Sequence, residues 1–259
     1  MPEGDTLFRT AAGLRPHLVG RAVTAARATR PGPQIERVVG ATVDAVESHG
    51  KNLVIRFDNG LELRTHMRMN GSWHRYRPGE RWRRPPSRAR VVLEVPGAVA
   101  VCFDAPVVEL FEQRAEVVHP SLSQLGPDLL DPAFDDDAAA EALRRLRDPA
   151  RAVWPISQAL LDQRALAGIG NIWRNETLFV ERVDPLATVE SLDDATLGRL
   201  VTTARRLLTE SATQAPGRAR LRVYRRSGRP CPRCGTLIRS APLPTEVPRT
   251  TYWLSLIHI

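Results

Sequence analysis

The chain has few cysteines and no long apolar run, and these shortages exclude two broad classes of protein. Its 259 residues include three cysteines, which cannot form the disulfide framework of a small secreted scaffold. No stretch approaches the ~18 consecutive apolar residues of a membrane-spanning helix. The first residues, MPEGDTLFRT, place acids where a secretory signal would carry a basic region and then an apolar run. The sequence therefore predicts a soluble intracellular protein without membrane partners.

Lysine is almost missing from a strongly basic composition. The net charge is +8 and the sequence pI is about 10.5, which favours a polyanionic partner such as nucleic acid, because bound Lys and Arg side chains release its counterions. Lys51 is the only lysine, and all other members of the 37 Lys and Arg residues are arginine. A compact Lys ammonium can approach closely and give up a proton, whereas Arg stays charged. Lys51 is therefore a candidate functional residue, with a surviving surface lysine as the alternative.

Hydrophobic periodicity divides the chain into a β-rich part and a helical part. A helix is predicted to begin near Thr6, and strands with frequent turns follow over 22–116, with Asp58-Asn59-Gly60 as a strong hairpin signal. Helical periodicity runs over 138–210, after a capping segment at Asp135–Asp137. The predicted boundaries are a β-sandwich domain at 1–118, a linker at 119–137, a helical domain at 138–222 and a terminal metal-binding hairpin module at 223–259.

The stretch PEGD at the start of the chain offers an unusual nucleophile. Proline at position 2 permits removal of Met1, which would expose a secondary α-amine on Pro2. An α-amino group has a pKa near ~7.7–8, against ~10.4 for Lys, so more of it is unprotonated at neutral pH. Its attack on an aldehyde-like carbon gives an iminium that favours elimination, and Glu3 stands beside it to move protons. A start without functional meaning is the alternative.

The stretch LLDQRALAGIGNIWRNETLF, residues 160–179, predicts two helices joined by glycine-rich turns. The first is expected to end at Gly168 and Gly170, and the second to begin with Asn171 as its N-cap. Backbone N–H groups at such a helix start bind phosphate. The pattern therefore favours a phosphate contact, with an ordinary helix hairpin as the alternative.

A C-x-x-C pair near the C-terminus, Cys231 and Cys234, indicates half of a metal site. A structural zinc needs four ligands, and no cysteine follows this pair. A redox pair is disfavoured because the surrounding βαβ pattern is missing. The arginines around the pair suit phosphate contact, although they could equally form a solvated basic face: Arg225, Arg226, Arg229, Arg233 and Arg239.

Together, these pieces resemble the Fpg/Nei family of DNA glycosylases over essentially the whole chain and in the family's order. The shared features are the P-E-G start, the single lysine in SHGKNL, the LLDQ…LAGIGN motif and a terminal zinc-finger hairpin. The resemblance implies an α+β fold. An N-terminal helix and an antiparallel β-sandwich form the catalytic domain, and a helical domain with a helix–two-turns–helix motif precedes the hairpin. It also implies one structural zinc ion, a damaged double-stranded DNA partner, a monomeric state and a cytoplasmic, nucleoid-associated location in a bacterium.

The resemblance implies a role for each matching position. Pro2 is the nucleophile that forms a Schiff base with the damaged nucleotide, Glu3 is the general acid/base, and Lys51 contacts the DNA backbone and aids base loss. Asn171 and Arg249 bind phosphate at the extruded nucleotide.

The resemblance also implies that the segment HMRMNGSW is the loop that fills the hole left by the extruded base. Met69 is the best candidate for the wedge, with Arg68 and Asn70 beside it.

Two features favour the endonuclease VIII-like (Nei) branch, as found in actinobacteria, over the Fpg branch. Fpg proteins carry a long capping loop before the zinc finger, whereas TQAPGRARLRVYRRSG is short, and VVELFEQRAEVVHP offers no clear equivalent of their second wedge pair. The expected activity is excision of oxidised bases, pyrimidines preferred, with strand nicking by β,δ-elimination. Three alternatives stay open: excision of oxidised purines, a non-catalytic DNA-binding protein and an RNA- or ribosome-binding protein.

The resemblance stops abruptly after Trp253, inside the zinc hairpin. The third and fourth zinc ligands are expected at positions 254 and 257, which hold Leu254 and Ile257, while His258 lies one place off. We hypothesise that the natural reading frame is interrupted there. The expectation is weak or absent zinc binding by Cys231 and Cys234 and a poorly anchored Arg249.

Overall fold

The structure, a computed structural model, describes residues 2–29, 32–214, 220–243 and 248–254. The chain separates into two compact units, Met1–Ser123 and Gln124–Ile259, which are described one at a time. Within the described ranges, no helix combines the length and the apolar character that crossing a membrane requires.

The N-terminal unit consists of one helix and two four-stranded antiparallel sheets. One sheet has the order β2-β3-β4-β8 and the other β1-β6-β7-β5. The described elements are α1 (Gly4–Leu18), β1 (Ala25–Ala28), β2 (Val43–His49), β3 (Asn52–Phe57), β4 (Leu61–His66), β5 (Ser72–Tyr76), β6 (Ala89–Val95), β7 (Ala98–Phe103) and β8 (Val107–Glu112).

The apolar face of α1 and the inward-facing residues of both sheets form the core of this unit. Leu7, Leu14 and Leu18 recur at helical spacing and are buried, as a single apolar stripe requires. The predicted hairpin is confirmed: Gly60 has φ +77° between β3 and β4, a conformation that favours glycine. Cys102 is fully buried in β7, as expected for a small apolar side chain, and burial raises the pKa of its thiol.

The C-terminal unit is built mainly from helices, followed by a two-stranded hairpin. Asp135 caps the first helix, since its side chain accepts a hydrogen bond from Ala138 N at 2.9 Å. The predicted helical region is divided by turns into separate helices, the longest of those described having 20 residues. The described elements are α2 (Asp136–Leu146), α3 (Ile156–Ala159), α4 (Asn171–Glu181), α5 (Asp194–Thr213), β9 (Arg239–Pro242) and β10 (Thr250–Trp253). The predicted α+β fold is therefore confirmed.

Candidate functional site

The first two residues after Met1 lie at the start of α1. Pro2 is partly exposed, whereas the Glu3 side chain is buried, with 1% of the residue exposed. Glu3 is also the N-cap residue, and its main-chain carbonyl accepts hydrogen bonds from Thr6 N at 2.9 Å and Leu7 N at 3.1 Å. The helix therefore holds the backbone beside the predicted nucleophile.

Helix α1 lies alongside strand β2 and runs in the opposite direction. Just past the helix, Gly20 N donates to Val43 O at 2.9 Å, and further back Arg15 donates to Val46 O at 2.9 and 3.1 Å. The 15 residues of α1 span about 22 Å and the seven of β2 about 23 Å, given the usual rises per residue. The start of α1 and the turn that carries Lys51 therefore lie at the same end of this layer.

Lys51 occupies a two-residue turn between β2 and β3. Gly50 has φ +58° at the first turn position, the arrangement of a type II′ hairpin. Beneath the turn, Arg64 Nε donates to Asn52 Oδ1 at 2.9 Å, and the same guanidinium pairs with Glu109. Asn52 and Arg64 are both buried, so the base of the turn is a fixed polar network.

His66 ends β4 and was not anticipated from the sequence. Burial, together with the positive charges of Arg64, Arg68 and Lys51, lowers the pKa of its ring to about 4. The ring is therefore neutral at neutral pH, and its Nδ1 accepts a hydrogen bond from Arg68 N at 3.2 Å.

The segment predicted to carry the wedge is a tight turn between the two sheets. Gly71 N donates to Met67 O at 2.9 Å and closes the turn, and a Cβ on Gly71 would lie only 2.7 Å from Met67 Cα. Met69 is 56% exposed at the tip, between exposed Arg68 and Asn70. The structure thus presents an exposed apolar side chain at the tip of a hydrogen-bonded turn.

In the C-terminal unit, the predicted glycine-rich turn precedes α4. Gly168 has φ +96°, and its N–H donates to Gln163 Oε1 at 3.0 Å. The expectation that Asn171 is the N-cap is wrong: Gly170 takes that place and Asn171 is the first helical residue. The extended backbone turns into the helix one residue earlier, which leaves the Asn171 side chain available for other bonds.

Asn171 and Arg249 lie close together because α4 binds strand β10. Asn171 Nδ2 donates to Thr250 O at 3.2 Å, next in the chain to Arg249. Arg174, which is 1% exposed, donates to Ser157 O at 2.9 Å and Thr251 Oγ1 at 2.8 Å. The structure therefore brings the two predicted phosphate-binding residues together.

Two more side chains of α4 complete the attachment of the hairpin module. Asn175 Oδ1 accepts a hydrogen bond from Tyr252 N at 2.8 Å. The carboxylate of Glu176 accepts three backbone hydrogen bonds, each of 2.9 Å, from Arg222, Val223 and Tyr224. Both residues are at most 3% exposed, so these bonds are shielded from water.

Sequence reasoning missed this set, although the stretch RNET at 174–177 carried a signal. Polar residues in consecutive helical positions cannot all lie on one exposed face, so some had to be buried and hydrogen-bonded.

The residues around the C-x-x-C pair do not fit a structural zinc ion. Cys231 is buried in an apolar cluster with Phe179, Val223, Ile238 and Leu254, while Cys234 is exposed. Leu254 stands where the third ligand is expected and offers no donor atom. In 2–29, 32–214, 220–243 and 248–254, no three metal-binding side chains come together. Ile257 and His258 lie outside the described residues, as does part of the short predicted segment before the hairpin.

Two family models match the chain, one for each unit. Residues 1–106 match the formamidopyrimidine-DNA glycosylase N-terminal domain, and residues 125–220 match the formamidopyrimidine-DNA glycosylase H2TH domain.

Curated relatives align over nearly the whole chain. "Probable endonuclease 8 2" of Streptomyces coelicolor is 38% identical over 98% of this chain and 92% of its own length. "DNA-(apurinic or apyrimidinic site) lyase Nei2" of Mycolicibacterium smegmatis is 38% identical, with 98% and 97% covered. "Endonuclease 8 2" of Mycobacterium tuberculosis is 41% identical, with 98% of both covered.

Solved structures share the fold at lower identity. A complex of LlFpg with a THF-DNA and an inhibitor has a TM-score of 0.84 at 19% identity, covering all of both chains. A Lactococcus lactis Fpg (MutM) complex with N7-benzyl-Fapy-dG DNA has a TM-score of 0.82 at 20% identity, with 97% of both chains covered. With both domain models matched in order and curated relatives near 40% identity, the chain belongs to the formamidopyrimidine-DNA glycosylase family, alongside the endonuclease 8 proteins of actinobacteria.

Proposed function

We propose that this protein is a bifunctional DNA glycosylase and AP lyase of base excision repair that removes oxidised bases, pyrimidines preferred. The observation that carries the assignment is that the start of α1 and the Lys51 turn lie at the same end of the layer that α1 and β2 form. The names of the relatives, endonuclease 8 and DNA-(apurinic or apyrimidinic site) lyase, point to the same activity.

Pro2 is the proposed nucleophile once Met1 is removed. Its nitrogen forms a bond to C1′ of the damaged nucleotide as the glycosidic C1′–N bond breaks, and the base leaves with the proton that the proline amine gives up. Protonation of O4′ then breaks the C1′–O4′ bond, and the opened sugar is held to the proline as an iminium. The resulting iminium makes the C2′ proton acidic, and loss of that proton expels the 3′-phosphate. A second elimination expels the 5′-phosphate, and water then releases the sugar remnant from the proline.

Glu3 and Lys51 are proposed to handle protons and charge in these steps. Glu3 serves as general acid/base on the opening sugar, and its burial beside Pro2 keeps bulk water away from the carboxylate. Lys51 provides a compact positive charge that contacts the DNA backbone and aids base loss. The buried Arg64–Asn52 network supports the turn that carries this lysine.

The remaining predicted residues are proposed to hold the extruded nucleotide. Asn171 and Arg249 bind its phosphates, and Met69 fills the hole in the duplex, with Arg68 and Asn70 contacting the surrounding bases. The substrate is damaged double-stranded DNA and the acting species is a monomer.

Borohydride trapping with peptide mapping tests the nucleophile directly. Duplexes carrying 5-hydroxyuracil, thymine glycol, 8-oxoguanine or an abasic site are incubated with the protein and reducing agent, and the adduct is digested with trypsin. The expected adduct lies on the peptide from Pro2 to Arg9. An adduct on a peptide that contains Lys51 would refute the role of Pro2.

Replacement of the buried carboxylate tests the acid/base role. Glu3→Gln is expected to lower base excision at least 100-fold, in the range usual for loss of a general acid/base group. Glu36→Gln, at an exposed position, is the control and should retain full activity.

The same trapping panel tests the lesion preference. Strongest trapping on 8-oxoguanine paired with cytosine would assign the purine specificity of the Fpg branch.

A further inference from the structure

Two neighbouring chain crossings connect the sheets of the N-terminal unit. Residues 67–71 lead from β4 to β5, and residues 104–106 lead from β7 to β8. Because β4 pairs with β8 and β5 pairs with β7, the two crossings lie side by side. The first crossing carries the proposed wedge, so any group that joins it to the second affects where the wedge stands.

Arg84 is the side chain that joins the two crossings. Its Nη1 donates to Asn70 O at 3.1 Å in the first crossing, and the same nitrogen pairs with Asp104 Oδ2 in the second. Asp104 is 17% exposed and Arg84 is 31% exposed, so water screens this contact only in part. The guanidinium therefore fixes the main chain directly after Met69.

The backbone on both sides of this contact is in an unusual conformation. Arg68 has φ +42° and Asp104 has φ +54°, in the left-handed region that residues other than glycine adopt rarely. Such conformations persist where surrounding contacts hold them, and they cluster at functional sites. The bond from Arg84 to Asn70 O, together with that from Arg68 N to His66, holds the first crossing.

We propose that Arg84 is a positioning residue for base extrusion, which sets the place of Met69 by bracing its turn against Asp104; this inference rests on the proposed function. A wedge acts only if it enters the duplex in register with the departing base, and displacement by about 1 Å can be costly to an enzyme. Arg84 reaches the turn through a main-chain carbonyl, so its role is independent of the side chain at position 70.

Arg88 provides a matched control within the same network. Its Nε donates to the other oxygen of Asp104, Oδ1, at 2.7 Å, and no hydrogen bond from its side chain to the 67–71 turn is present among the described residues. Arg88→Met and Arg84→Met each remove one ion pair to Asp104, but only the second removes the brace on Asn70. Arg84→Lys keeps the charge near Asp104 but replaces the fixed guanidinium plane, whose Nη1 serves both acceptors, with a freely rotating ammonium group.

The test compares two substrates and one spectroscopic signal. The substrates are a duplex with 5-hydroxyuracil, from which the base must be extruded, and a single-stranded abasic oligonucleotide, which has no hole to fill. 2-Aminopurine opposite the lesion reports wedge insertion through its fluorescence. We expect Arg84→Met to lower kcat/KM on the duplex about tenfold, mainly through kcat, and to reduce the fluorescence change. Cleavage of the abasic single strand should stay within about twofold.

The outcomes separate this inference from the proposed function. If the wild type cleaves neither substrate, the proposed function is wrong and the inference is refuted with it. If the wild type cleaves both and the Arg84 variants match Arg88→Met on the duplex, the brace is refuted while the function stands. If Arg84→Met does not fold, Arg84→Lys decides, with an expected loss of about threefold and a thermal midpoint like that of the wild type.

Discussion

The β9–β10 hairpin and the 67–71 turn both carry residues proposed to contact DNA, but they are held in different ways. Side chains of α4 that are less than 10% exposed hold the hairpin module through hydrogen bonds to its backbone and to the Thr251 hydroxyl. The turn is held at the surface by a glycine, a histidine ring and one partly exposed guanidinium.

The two attachments should differ in how much they contribute to stability. A buried polar group that loses its partner costs more than an exposed one, because water does not replace the lost bond. Exposed ion pairs contribute little to stability and are weakened by salt. The α4 contacts should therefore govern the stability of the C-terminal unit, while the Arg84 brace should govern the geometry of the turn with little effect on stability.

The largest expected effect comes from breaking the buried attachment at Glu176. Glu176→Ala leaves three backbone N–H groups without their acceptor and should lower the free energy of unfolding by about 3 kcal/mol. Urea unfolding followed by fluorescence measures this change. Glu190→Ala, at an exposed position of the same unit, should stay within about 0.5 kcal/mol. Equal losses in the two variants would show that the Glu176 contacts are not an anchor.

Acidification is expected to lower the stability by a smaller amount through His66, which precedes the 67–71 turn. The folded pKa of His66 is about 4, below the unfolded value of 6.5, so the unfolded state binds more protons between these values. Stability should therefore fall as pH drops from 6.5 towards 4, by at most about 1.4 kcal/mol per pH unit from this residue. Unfolding free energies at pH 7, 6 and 5 should show a shallower decline in His66→Gln. An unchanged decline would contradict this assignment.

Removing the charge of Asp104, which pairs with Arg84 in the brace, should change the free energy of unfolding less than either change above. Asp104→Asn tolerates the left-handed backbone but removes the charge that pairs with Arg84 and Arg88. Burial alone would raise the pKa of Asp104, but hydrogen bonds and charge from Arg88 and Arg84 lower it overall. The variant should lose about 1 kcal/mol at low salt, and less at 0.5 M NaCl. A loss as large as that of Glu176→Ala would erase the distinction between the two attachments.

The smallest effect is expected from metal removal. Because α4 and the apolar cluster around Leu254 hold the hairpin, dialysis against EDTA should leave the thermal midpoint within about 1 °C, a shift well below what loss of a structural ion would cause. Elemental analysis of the untreated protein gives the zinc content alongside. A large fall in the midpoint after chelation would show that the hairpin depends on metal.

Several features were predictable because they depend on neighbours in the chain. The helix at the start, the Asp58-Asn59-Gly60 hairpin and the Asp135 cap follow from local rules of periodicity, turn geometry and capping. The N-cap at α4 was misplaced by one residue because both glycine and asparagine are acceptable there.

The roles of Arg84 and Glu176 could not be predicted, because their partners are distant in the sequence. An arginine in RWRRPP has the same local signature as its neighbours, and only the adjacent sheet crossings select Arg84 as the residue that contacts Asn70. Glu176 is one of several acids in helices, and only the packing of the hairpin module on α4 gives it three backbone donors.

The sequence by itself determined the local elements, the chemistry available at Pro2, Glu3 and Lys51, and the family. The tertiary structure decided which polar side chains are buried and what they hold. The physical reason is that backbone periodicity arises within a few residues, whereas a side chain's burial depends on what packs over it. Arg174 and Thr251 are 77 positions apart in the chain and 2.8 Å apart in space.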